Sequence, residues 1–181
     1  MLRGGESYTL YTLTGCVGSA TGSTAELGDL WFYDMEFAPP APDAERTIIG
    51  ICGSWNALPR VPKVESTASE VYRGVARKLL TSKGFKNPKV TLKQVIRVDL
   101  EGDGQSEVLL SATSPGLTDI GYGVPDRFPY GYSFVLLRKI VGRSVKELLL
   151  AGEFYPRGGY RGQAPCRYWV GAVLDANGDG I

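Results

Sequence analysis

Residues 99–107 read Asp-Leu-Glu-Gly-Asp-Gly-Gln-Ser-Glu, with carboxylates at the first, third, fifth and ninth places and Gly104 at the sixth. Calcium is a hard cation that collects six to eight oxygens, and alternate side chains across a tight turn aim at one point. Asp99, Glu101 and Asp103 are therefore expected to face inward together. Gly104 permits the reversal that brings the Gln105 carbonyl into the shell, and Glu107 closes the far side. Without a cation, four carboxylates on one turn repel one another. A second start, Asp175, Asn177 and Asp179 with Gly180 at the sixth place, follows 76 positions after residue 99. Its ninth place would be residue 183, whereas the sequence ends at 181, so the chain is expected to be a piece of a longer one and its second site weak or empty as it stands.

These loops need something to hold them. The place twelve residues into the first loop is Leu110, where a helix-flanked calcium loop carries a bidentate Glu. Its flanks are apolar and strand-like instead, residues 90–98 before and 107–112 after. Further strands are expected at 8–14, 30–37, 47–52, 132–141, 146–154 and 167–174, the 132–141 and 146–154 pair forming a hairpin through residues 142–144. Residues 15–28, 113–131 and 155–165 read as loops, 38–42 as a stiff extended connector and 59–62 as an irregular link. One helix is expected at about 67–83. Thr67 and Glu70 fit a capping box, Val71, Tyr72, Val75, Ala76, Leu79 and Leu80 form an apolar stripe, and Gly84 supplies a left-handed cap with Phe85 folded back.

Composition narrows the chemistry. Hydrophobic residues make up 43% and charged residues 22%, which suits a packed globular fold. Twenty basic and nineteen acidic residues are interspersed, leaving no Lys/Arg stripe for a nucleic acid. Histidine is absent, which removes the usual general base, the usual triad partner and the commonest zinc ligand. Cys16, Cys52 and Cys166 fit no zinc spacing; they read as small buried hydrophobes, with a Cys16–Cys52 disulfide the alternative for an exported protein. No apolar run is long enough to span a bilayer, and the first residues lack the apolar core of a signal peptide. The chain is thus expected to be cytoplasmic or excised from a longer, exported protein.

Apolar strand, acidic Asp/Gly loop, apolar strand, then small residues and Pro115 is a sequence that resembles the calcium-loop repeats of the FG-GAP and VCBS families, found in integrin-type propellers and bacterial surface proteins. The resemblance covers roughly residues 90–137 and the last dozen. It implies metal-ligand roles for Asp99, Glu101, Asp103, Gln105 through its backbone, and Glu107, and by extension for Asp175, Asn177 and Asp179. Glu101 stands where such loops carry Asp or Asn, and the helix has no place in a propeller blade, so no closed propeller is expected.

The fold expected is β-rich, mainly β or α+β, with antiparallel sheets and one amphipathic helix. It forms one domain over 1–181, with a subdivision into 1–62 and 63–181 as the alternative. The function expected is that of a calcium-binding structural or interaction module, secreted or at the cell surface, with a protein or glycan as partner and no nucleic acid. The alternative is a carbohydrate-active enzyme or sugar-binding module. Asp119, Asp126 and Glu153 would be its carboxylates, and Tyr122, Phe128, Tyr130, Tyr132, Tyr155 and Tyr160 its stacking faces.

Overall fold

The structure, a computed structural model, describes residues 3–28, 33–41, 48–53, 55, 57–115, 130–158 and 166–179, with the backbone of 127–128 and 159–160. In chain order the strands before the helix are β1 (Ser7–Thr12), β2 (Gly15–Gly22), β3 (Glu26–Leu27), β4 (Tyr33–Asp34), β5 (Phe37–Ala38), β6 (Ile49–Cys52), β7 (Leu58–Pro59) and β8 (Lys63–Val64). Helix α1 (Glu70–Ser82) is followed by β9 (Leu92–Val98), β10 (Glu107–Thr113), β11 (Arg127–Phe128), β12 (Gly131–Val141), β13 (Ser144–Tyr155), β14 (Gly159–Tyr160) and β15 (Leu174–Asp175). Every strand pairing described is antiparallel. The chain is β-rich, with one helix among the described residues, as its alternating patterns imply. Two compact units divide it, Met1–Pro62 with Leu100–Asp103 and Gly171–Ile181, and Lys63–Asp99 with Gly104–Val170.

In the first unit, a four-stranded sheet runs in the order β5-β2-β1-β6. Tyr8, Leu10 and Ala20 are buried at its centre, against Val17, Met35, Phe37 and Ile48. Residues 15–22 form a strand rather than the loop that their Gly, Ser and Thr content predicts. The reason is visible at Gly22, where a Cβ would sit 2.6 Å from Met35 Sδ and 2.7 Å from the Tyr8 ring, so large side chains from neighbouring strands lie across it. The strand expected at 30–37 is broken in its described part. Met35 and Phe37 pack inward, Tyr33 is exposed, and residues 30–32 lie outside the described set, as do Pro42 and Thr47 of neighbouring expectations. Cys16 is exposed and Cys52 half-buried, both thiols free. Strand β1 runs between their strands β2 and β6, and two strand spacings of nearly 5 Å exceed the roughly 7 Å limit for a disulfide.

In the second unit, a five-stranded sheet runs in the order β13-β12-β10-β9-β8, with α1 on one face. Ala76 and Leu80 of the helix are fully buried against Val95, Leu110, Ala112, Tyr132, Phe134 and Leu136. Val71, the first member of the apolar stripe, is exposed. The helix begins two residues later than a capping box at Thr67 requires. Ser69 is the N-cap, with no side-chain cap bond, and Glu70 pairs with Arg73 at 2.7 Å instead of reaching back. The Ser66 hydroxyl accepts the Ala68 N–H at 3.2 Å, so a local turn uses up the residues before 69. At the other end, the expected cap forms. Gly84 has φ +92°, its N–H donates to Thr81 O at 3.0 Å, and Phe85 N–H donates to Leu80 O at 3.1 Å, the two bonds of a Schellman motif.

The opposite face of this sheet carries polar side chains at positions that alternate with the core. Ser111 donates to Gln94 Oε1 at 3.0 Å, and the Thr113 and Ser133 hydroxyls lie 3.0 Å apart. Residues 166–170 lie against this row. Cys166 N–H donates to Glu153 Oε2 at 2.9 Å, Tyr168 N–H to Ser133 Oγ at 2.8 Å, and Val170 N–H to Gln94 Oε1 at 2.9 Å. Gln94 Nε2 returns a bond to Val170 O at 3.0 Å. Alternate amides of the segment thus bond side chains instead of a neighbouring backbone. That is why the strand expected at 167–174 reduces to Leu174–Asp175, which pairs with Leu58–Pro59.

Candidate metal loops

Strands β9 and β10 pair from Glu107 opposite Val98 upward, so the acidic loop is the connection of a hairpin. Residues 100–104 are a continuous run of bends. Gly102 and Gly104 take φ +68° and +83°, a left-handed backbone that glycine adopts without the steric cost a Cβ brings. The chain coils back on Asp99, whose Oδ2 accepts the Gly104 N–H at 2.8 Å. Asp99 is half-buried; Glu101, Asp103 and Gln105 are exposed. Glu107 is 4% exposed at the foot of β10, an unusual place for a carboxylate. Among the described residues, no three His, Cys, Asp or Glu side chains are gathered closely enough to hold a metal ion. The Asp99 carboxylate is thus hydrogen-bonded to the loop backbone, and Glu101 and Asp103 belong to exposed residues.

The second loop is arranged differently. Asp175 is 6% exposed, and its Oδ1 accepts the Gly178 N–H at 2.9 Å. Its Oδ2 lies 3.6 Å from the Arg60 guanidinium. Asn177 Nδ2 donates to Asp179 Oδ2, and both residues are exposed. Here a guanidinium from the segment after β7 already supplies positive charge to the buried carboxylate. No local pattern signals this pairing, because Arg60 sits in a stretch that reads as an irregular link, 115 positions before residue 175.

Of the carboxylates and aromatics of the sugar-handling alternative, the side chains of Tyr130, Tyr132, Glu153 and Tyr155 are described. Asp119, Tyr122 and Asp126 lie outside the described residues, as do the side chains of Phe128 and Tyr160. Tyr132 is wholly buried, its hydroxyl donating to Lys89 O at 2.7 Å and accepting the Thr91 N–H at 3.0 Å. Glu153 is a hub: besides Cys166 N–H it accepts the Tyr168 hydroxyl at 3.1 Å. Desolvation, followed by the Glu153 carboxylate, pushes the Cys166 thiol and the Tyr155 and Tyr168 phenols up. Glu153 thereby ties residues 166–168 to β13. Cys166 is exposed, against the expectation of a buried hydrophobe, and its backbone N–H is held by Glu153.

No family model matches this chain, and neither does any curated protein or solved structure.

Proposed function

We propose that the hairpin loop of residues 99–107 binds calcium, and that the ion's work is structural, fixing a strand-to-strand connection in an interaction module of an exported or cell-surface protein. The observation that carries the reading is the Asp99–Gly104 bond at 2.8 Å across a loop whose fourth and sixth places are left-handed glycines. That bond turns an acidic stretch into a coil around its first carboxylate. Asp99 would anchor the ion, the exposed Glu101 and Asp103 would be recruited by rotating their side chains, Gln105 would offer its carbonyl and Glu107 would close the shell. A bound calcium ion supplies positive charge where like charges otherwise crowd, and oxygen ligation is its preferred chemistry. Asp175, Asn177 and Asp179 are a weaker candidate, since Arg60 already faces Asp175. The hydrolase alternative retains one described carboxylate, Glu153, and two donors hold it to residues 166–168.

Isothermal titration of the protein with calcium chloride tests the proposal. One site with a dissociation constant between about 10⁻³ and 10⁻⁶ M is expected, the range of extracellular and sensor loops. Magnesium should bind far more weakly, because it demands tighter octahedral geometry. An absence of calcium heat that Asp99→Asn leaves unchanged overturns it.

A further inference from the structure

We infer that the cleft at the C-terminal end of α1 is a binding site for an acidic sugar, either a uronate or a sugar phosphate. The cleft has a volume of about 430 Å³ and is lined by residues that include Phe85, Lys86, Lys89, Tyr130, Pro156 and Arg157. This size lies within the range of pockets that enclose small ligands. Three of its lining side chains are cationic and none is acidic. None of the three cations has a carboxylate partner among the described residues.

Cations beyond a helix C-terminus ordinarily answer the helix dipole. Here the last carbonyls are already taken: Lys83 N–H bonds Leu79 O and Leu80 O, Gly84 N–H bonds Thr81 O, and Phe85 N–H bonds Leu80 O. The last turn itself carries no basic residue, so Lys86, Lys89 and Arg157 are gathered around the cleft instead. Three positive side chains about one concavity focus an attractive field on an anion.

The remaining walls select for a ring. Tyr130 is half-buried, held edge-on to Phe85 at 6.3 Å between centroids, and Pro156 supplies a second flat apolar surface. Such surfaces accept the C–H face of a pyranose. Asn87, also in the lining, is the one described non-glycine residue with positive φ, at +49°. Asparagine adopts this left-handed conformation more readily than most residues, and its place in the lining adds an amide to the three cations. The backbone behind is fixed, because the Tyr132 hydroxyl bonds both Lys89 O and the Thr91 N–H. The cleft is therefore a preformed wall rather than a loose loop. This inference is independent of the calcium reading.

The test is amide chemical-shift mapping on the full chain at low salt, with glucuronate, glucose 6-phosphate, glucose and inorganic phosphate as separate probes. Glucuronate or glucose 6-phosphate should shift the amides of residues 84–89 and 157, and the tighter of the two assigns the acid group. Glucose should leave those amides in place, and inorganic phosphate should bind at least tenfold more weakly than the better acidic sugar. The double substitution Lys89→Gln with Arg157→Gln replaces two exposed side chains, so the spectrum should remain folded while affinity falls at least tenfold. Three results overturn the site: no shift with either acidic sugar, equal shifts with glucose, or equal affinity in the double variant. Phosphate binding as tightly as the sugar phosphate overturns the sugar assignment.

Discussion

Asp99 has two separable tasks, a hydrogen bond and a charge. Asp99→Asn keeps an oxygen for the Gly104 N–H but removes the charge, so stability in EGTA should be unchanged while calcium affinity falls at least tenfold. Asp99→Ala loses the bond as well, and should cost about 1 kcal/mol even in EGTA, the usual net worth of such a bond. Denaturant unfolding of both variants in EGTA separates the two. Tyr132 offers a second check at this scale. Tyr132→Phe strips Lys89 O and Thr91 N–H of their partner and should cost about 1–3 kcal/mol. Burial pushes its phenol above the ordinary value. A raised folded value means stability that is complete below the unfolded value near pH 10 and is lost as pH rises through the folded one. Wild-type stability should therefore fall more steeply above about pH 10 than that of Tyr132→Phe, as alkaline unfolding curves will show. Spacing in the sequence made Asp99, Asp103 and Gly104 legible as a loop. It could not foretell that Arg60 meets Asp175, because ion pairs between distant segments leave no local pattern.

Among the elements, α1 was readable because it buries one face, and the β9–β10 and β12–β13 hairpins because long apolar runs flank a short Gly-containing connection. Phe85 and Gly84 were readable because a Schellman turn requires a left-handed residue followed by an apolar one. Gly84→Ala should cost about 1 kcal/mol, from the φ of +92° alone, since the nearest atom to a new Cβ is Pro156 Cγ at an ordinary 3.6 Å. Thermal denaturation of this variant measures it. Strand β2 was unreadable in part because Gly22 makes room for Tyr8 and Met35, residues of other segments. Residues 166–170 misled in the opposite sense. Their pattern is extended, yet their amides bond Glu153, Ser133 and Gln94 side chains. Ser133→Ala should leave the half-buried Tyr168 N–H without its acceptor and speed that amide's hydrogen exchange by tenfold or more, the equivalent of about 1.4 kcal/mol. A silent Tyr168 amide in that experiment contradicts the side-chain anchoring.

For the molecule as a whole, the described residues form antiparallel sheets, and side-chain ties hold the 166–170 segment against one of them. A structural ion suits such a design, because binding to the folded state alone adds stability by mass action. The measurement that bears on this most directly is thermal unfolding in excess calcium and in EGTA. At a hundredfold excess of calcium over its dissociation constant the gain is about 2.7 kcal/mol. For a chain of this size that raises the midpoint by about 5–10 °C, and Asp99→Asn should erase most of the rise. Superimposable wild-type curves under the two conditions would contradict the account.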